Sequence, residues 1–367
     1  MMTDFNLGDK GVMKSEFKCS LCEDCNNDYH NCRTYFSSIK TKGCFFYTPN
    51  NLLELKFKND KEDRFYGGLF GAAIGDALGV PVEFKKREEL SDDLVLDMRG
   101  WGVHNQPFGT WSDDTSMTLC LVNALANHKG LQGVSNNFLK WYKRGNFTAT
   151  GEVFDIGNTC LTAIENMMLG CDLSECGSKD VKSNGNGSLM RILPLAFYDK
   201  LDYGLIEDVA SLTHAHKISV LGCLIYVIFA HYLFIGETLG NAYDKLLHDL
   251  STEYFDKYND VKYCYQRILD KSIISCDVSN VKSSGYVVDT LEAAFWCLFR
   301  VSTYNSCVLK AVNLGLDTDT VGCVTGGLAG IYYGYSKINN KWVQMLQEKY
   351  MLYEEYLSFW LSLTEGY

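Results

Sequence analysis

Trp111-Ser112-Asp113-Asp114-Thr115-Ser116 and Leu316-Asp317-Thr318-Asp319-Thr320 concentrate carboxylates and hydroxyls in two short windows of the chain. Carboxylates this close repel one another, and a hard cation relieves the repulsion. Ser and Thr hydroxyls add neutral oxygen donors, giving the ligand set that Mg²⁺ or Ca²⁺ prefers over nitrogen or sulfur. If the fold brings the windows together, they form an all-oxygen site for one or two divalent ions. The same residues also suit helix starts. Ser112 reads as an N-cap with acids in the first turn, and Asp317 to Thr320 read the same way before the apolar run that follows. Capping and ligation are compatible, and both stay open at this level.

Further candidates lie between and before these windows. Asn184-Gly185-Asn186-Gly187-Ser188-Leu189-Met190-Arg191 reads as a Gly-rich turn running into a helical stretch, whose backbone N–H groups suit a phosphate. Asn-Gly pairs are also ordinary turns, so the run by itself does not decide. His214 and His216 stand two residues apart. With oxygen clusters elsewhere, a ligand or capping role fits them better than zinc. Cys19, Cys22, Cys25, His30, Cys32 and Cys44 could bind zinc, since Cys-x2-Cys pairs suit a tetrahedral thiolate site. The pairs overlap and no clean second knuckle follows, so residues 1 to 60 read as a Cys- and Asn-rich extension of unassigned role.

Helices must position these groups. Phe65, Leu69, Ala72 and Asp76 share one stripe, which puts Asp76 on a face due for burial, where an acid needs a partner or an ion. Gly75, Gly79 and Pro81 end that helix and deliver Glu83 from the next turn. Asp114, Met117, Leu121 and Leu125 share a second face, with Asp114 at its inner edge. Gly322, Gly326 and Gly330 recur at spacing four, and each costs about 1 kcal/mol against Ala inside a helix. Such a stripe makes sense where another helix crosses at close range. Ile218 to Gly236 lacks Asp, Glu, Lys and Arg and is nearly long enough to cross a bilayer. A buried central helix reads the same way, and His231 within it favours that reading; no membrane span is expected.

Composition sets the outer limits. The 367 residues are 47% hydrophobic, enough for one large or two medium domains. Four prolines and few alternating β-branched runs argue against a sandwich or barrel. A net charge of −11 disfavours nucleic-acid binding, which needs a basic surface. Fifteen cysteines would suggest disulfides in a secreted chain. The first twenty residues, however, carry Asp4, Asp9, Lys10, Lys14 and Glu16 and no apolar signal core. Cys120, Cys160, Cys223, Cys297 and Cys323 sit in apolar helical runs as small hydrophobes, so a reducing, cytoplasmic compartment is expected.

From residue 63 to about 345 the chain resembles the ADP-ribosylglycohydrolases, including the dinitrogenase reductase-activating glycohydrolase. The resemblance runs through Gly67 to Gly79 with Glu83, Gly109 to Thr115, Phe154 to Thr159, Asn184 to Arg191, Thr213 to His216, Gly285 to Ala294 and Ala311 to Thr320, in that order. It implies an all-α, compact single-domain orthogonal helical bundle over residues 61 to 367, with a central cleft holding two Mg²⁺ ions. By motif match the metal ligands are Ser112, Asp113, Asp114, Asp317, Asp319 and Thr320. Glu83 and Asp114 serve the reaction, and Gly157, Asn158, Gly185, Asn186, Gly187 and His214 hold the ADP-ribose. The implied activity is hydrolysis of the bond between ADP-ribose and a modified protein side chain, with arginine expected because the motifs look closer to the dinitrogenase reductase-activating branch. A non-catalytic, ADP-ribose-binding or structural member is the competing reading. A different two-metal phosphoesterase is the third. Leu316 and Lys217 depart from the family pattern, where Gly and Pro are usual; neither departure removes a ligand.

Overall fold

A computed structural model of the chain describes residues 53 and 55–364. The Cys19 to Cys44 group and the zinc reading attached to it lie outside the described residues. Among the described residues the architecture is all-α, and β pairing is limited to the isolated bridges Trp101–Gln106, Ser178–His214 and Gly185–Tyr286. The helices of nine or more residues are α1 (Asp60–Gly79), α2 (Asp113–Ala126), α3 (Gly130–Arg144), α4 (Asn158–Met168), α5 (Tyr203–Ser211) and α6 (Lys217–Phe234), followed by α7 (Leu239–Asp249), α8 (Val287–Leu298), α9 (Tyr304–Val312), α10 (Thr318–Tyr333) and α11 (Lys349–Thr364).

α1 and α10 form the central antiparallel pair. Gly67, Gly71 and Gly75 lie against Gly330, Gly326 and Gly322 in turn. A Cβ built on Gly75 would stand 2.0 Å from the Gly322 carbonyl oxygen, and one on Gly330 would stand 1.9 Å from that of Gly67. No side chain fits between the two backbones, which explains the glycine stripe in α10 and a matching one in α1. Tyr304 Oη of α9 braces the crossing by donating to the Gly71 carbonyl at 2.8 Å. The C-terminal end of α1 and the N-terminal end of α10 are thereby fixed together, and these ends carry Asp76 and Asp319.

The remaining helices wrap this pair. α2 packs against α3 and α11, α8 and α9 pack on α10, and α6 packs among α5, α7 and α8. α6 is long and apolar enough to cross a membrane, and so is the Asp60–Val82 segment; both are buried among other helices. The chain ahead of α1 joins the body: Leu53 N donates to Gln344 Oε1 at 2.9 Å, and Phe57 packs on Tyr66 and Tyr335.

Candidate active site

Asp76 is fully buried near the end of α1. Its carboxylate accepts from Ser112 N at 2.9 and 3.1 Å, and from Thr115 N and Thr115 Oγ1 at 3.1 and 2.6 Å. It therefore holds the N-terminus of α2, where orphan N–H groups and the helix dipole favour a negative charge. Burial still pushes its pKa up to about 6, against the opposing pull of those hydrogen bonds. The partner that the sequence demanded for this acid is a helix end.

Ser112 caps α2, its Oγ accepting from Asp114 N at 3.3 Å and donating to Asp114 Oδ2 at 3.2 Å. Asp317 occupies the N-cap position of α10, but its side chain makes no capping bond. It turns instead to Asn186, whose Nδ2 donates to Asp317 Oδ2 at 2.9 Å. Asp319 Oδ1 accepts from Thr320 N, and Thr320 Oγ1 donates to Asp114 Oδ2 at 3.3 Å, joining the two acidic windows across the α2–α10 junction.

Three buried oxygens in this junction have no hydrogen-bond partner: Asp114 Oδ1, Asp317 Oδ1 and Asp319 Oδ2. Glu83, Asp317 and Asp319 bring carboxylate oxygens within 4.8 Å of one another, and a ring nitrogen of His104 lies equally close to oxygens of Glu83 and Asp155. Burial raises the pKa of Asp113, Asp114, Asp317 and Asp319. For all but Asp317, neighbouring carboxylates push in the same direction. Glu83 is pushed up to about 8 by burial and by Asp317, and Asp155 to about 7 by burial and by Glu83. Unpaired buried carboxylate oxygens crowded into one junction are costly without a cation, so the donor set fits a divalent metal.

Above the junction opens a cavity of about 360 Å³, within the range of small-molecule sites. Glu83, Asp113, Asp317 and Thr320 line it, together with Gly157, Asn158, Gly185, Asn186, Gly187 and His214. Ser112, Asp114 and Asp319 are buried beside it and do not form its lining. Gly157 is the N-cap of α4 and Asn158 its first residue, so a helix N-terminus faces the cavity. The run from Asn184 does not enter an α-helix as its sequence suggests; it forms a turn and then a 3-10 helix, Leu193–Phe197. Pro194 in that first turn lacks the N–H an α-helix would need, and Arg191 folds back to donate to the Gly187 and Val209 carbonyls. Asn186 N already donates to the Gly285 carbonyl at 3.0 Å, so this N–H is not offered to a phosphate.

His214 is buried beneath Gly185 and Gly187, and a Cβ on Gly187 would lie 3.0 Å from its Cε1. Burial and the nearby Arg191 charge pull its pKa down to about 3, so it is neutral, with Nδ1 paired to Thr213 Oγ1. His216 takes the capping role, its Nδ1 accepting from Ile218 N at the start of α6.

Three cavity-side residues carry no role in the sequence reading: Asp155, His104 and Phe84. His104 Nε2 contacts Glu83 Oε2 and lies 3.8 Å from Asp155 Oδ1. Asp155 and Phe84 both adopt left-handed backbone (φ +62°), as does Leu316 (φ +63°). Leu316 stands where the family pattern has Gly, and it keeps that turn by accepting from Phe84 N at 2.6 Å and donating to Lys85 O at 2.7 Å. Single acids, histidines and aromatics in loops leave no periodic signal, so only the fold could bring these three together.

Comparison with known proteins shows the family of the chain. The family model for ADP-ribosylglycohydrolase matches residues 58–365. The chain is 30% identical over 306 residues to the ADP-ribosylarginine hydrolase Tri1 of Serratia proteamaculans (strain 568), covering 80% of this chain and 77% of the relative. It is 30% identical over 301 residues to the ADP-ribosyl-[dinitrogen reductase] glycohydrolase of Rhodospirillum rubrum, covering 78% and 91%. A solved ADP-ribosylglycohydrolase-related protein complex superposes with a TM-score of 0.68 at 26% identity, covering 84% of this chain and all of that one. The chain belongs to the ADP-ribosylglycohydrolase family and is a hydrolase.

Proposed function

We propose that this protein hydrolyses the N-glycosidic bond between ADP-ribose and a protein arginine, depends on two Mg²⁺ ions, and acts in the cytoplasm. The observation that carries the reading is the set of partnerless buried oxygens on Asp114, Asp317 and Asp319 beside a cleft with Glu83 on its wall. Arginine is the side chain named for the Serratia relative, an ADP-ribosylarginine hydrolase. Every cysteine among the described residues is free, in keeping with a reducing compartment.

Ser112, Asp113, Asp114, Asp317, Asp319 and Thr320 would hold the ions. Bound there, divalent ions supply positive charge that offsets the crowded carboxylates and orients hydroxyls and water. The chain supplies the rest. The N-terminus of α4 at Gly157 and Asn158 suits the pyrophosphate, and Gly185 and Gly187 let the substrate approach the backbone above neutral His214. Breaking the anomeric bond develops positive charge on the ribose, which the carboxylates of Asp155 and Asp317 stabilise. Burial raises the pKa of Glu83 above the usual carboxylate range, which suits it to move a proton between attacking water and departing nitrogen.

The test is release of free ADP-ribose, read by mass spectrometry, from arginine-, serine- and acetyl-linked substrates with and without EDTA. Mg²⁺-dependent release from arginine is expected. Faster release from serine rejects the arginine assignment, AMP as product points to a phosphoesterase, and no release from any conjugate leaves a binding protein.

A further inference from the structure

Phe84 is out of place by every rule of packing. It follows Glu83 directly, its side chain is 62% exposed, and its backbone has a φ of +62°, a region that large L residues rarely adopt. Two bonds hold it there, Phe84 N to the Leu316 carbonyl and Leu316 N to the Lys85 carbonyl, and Leu316 is itself left-handed. A bulky aromatic held in a disfavoured conformation, mostly exposed and touching the ring of His104 at a centroid distance of 6.0 Å, marks a site where the ring serves something other than folding.

Its surroundings indicate what that is. Phe84 lines the same cavity as Glu83, Asp113, Asp155 and Asp317, and no Lys or Arg lines it. A flat aromatic face beside several carboxylates is the setting in which a guanidinium binds, stacked on the ring with its N–H groups directed to the acids. Adenine also stacks on aromatic rings, but it lies beyond the pyrophosphate from the bond that breaks. Phe84 lies one trans peptide, about 3.8 Å between Cα atoms, from the acid placed at that bond.

We infer that Phe84 determines leaving-group specificity: its ring is the face on which the planar guanidinium of a modified arginine lies, with Glu83 and Asp155 at its edge. The inference rests on the arginine reading above and deepens it.

Phe84→Leu, Phe84→Asn and Phe84→Tyr decide the matter, with kcat/KM measured on an ADP-ribosyl-arginine peptide and Kd measured for free ADP-ribose, which lacks the guanidinium. Leu and Asn should lower kcat/KM about five- to tenfold, the range a cation–π contact supports, and leave the Kd of ADP-ribose unchanged. Tyr, which keeps the ring, should restore most of the difference. Asn tolerates left-handed backbone, so Phe84→Asn should melt no lower than the wild type, which separates lost recognition from lost folding. Unchanged kcat/KM in Leu and Asn overturns the inference and leaves the arginine reading standing. An equal loss in ADP-ribose affinity overturns it in favour of adenine stacking. A wild type that releases nothing from arginine but acts on another conjugate overturns both.

Discussion

The carboxylates at the α2–α10 junction divide between two duties, set by the partners of their oxygens. Asp76 spends both oxygens on α2 and is structural, whereas Asp114, Asp317 and Asp319 each keep one oxygen without a partner. Asp319→Asn removes charge at constant size, and turnover should fall on the order of 100-fold or more, measured as ADP-ribose release at saturating Mg²⁺. Mg²⁺ should also raise the melting temperature of the wild type, because an ion that binds only the folded site stabilises it by mass action. pH provides a separate check. Folded Asp76, Glu83 and Asp155 titrate near 6, 8 and 7, above their ordinary 3.8, 4.5 and 3.8, so between these limits the folded chain binds more protons than the unfolded one. In EDTA the stability these groups contribute is present below about pH 4 and is lost as pH rises towards 8. Melting temperatures in EDTA that climb steadily from pH 5 to pH 8 would contradict this assignment.

At the scale of elements, the α1–α10 crossing turns glycines into the geometry of the cleft. Backbone contact along the whole pair fixes the end of α1, and the 3-10 turn Val80–Val82 then aims Glu83 into the cleft beside Asp317 and Asp319. A single methyl tests this. Gly75→Ala would place a Cβ 2.0 Å from a backbone oxygen that has no side-chain freedom to retreat, so the loss should reach about 3 kcal/mol or more by chemical denaturation. Gly240, where a Cβ meets nothing within 4 Å, is the control: Gly240→Ala in α7 should stabilise the fold slightly or leave it unchanged.

For the whole molecule, the described body contains every element of the cleft, and the family match starts at residue 58. Leu53 is buried and paired with Gln344, so the useful truncation point lies before it. Deleting residues 1–52 should leave ADP-ribose release and melting temperature close to those of the full chain, whereas extending the deletion through Phe57 should lower the melting temperature by stripping Leu53 and the Phe57–Tyr335 contact. Loss of activity in the shorter truncation, or stoichiometric zinc in the full chain, would assign the Cys19 to Cys44 group a structural role.

The sequence by itself determined what periodicity and local chemistry can carry. It gave Asp76 a buried face, Ser112 a cap, Glu83 a place after a helix end, and Gly322 to Gly330 a close crossing, because each follows from spacing within one helix or turn. It also contained the ordered motifs that resemble the family. The tertiary structure decided the rest. Which oxygens stay unpaired depends on partners from other elements: Asp317 turns from its own helix to Asn186, and Thr320 reaches Asp114. That the glycines of α1 and α10 face each other, that Asn186 spends its N–H on Gly285, and that His104 and Asp155 gather around Glu83 are likewise facts of long-range contact. Such contacts leave no local period, since the residues that make them are isolated in loops and separated by long stretches of chain.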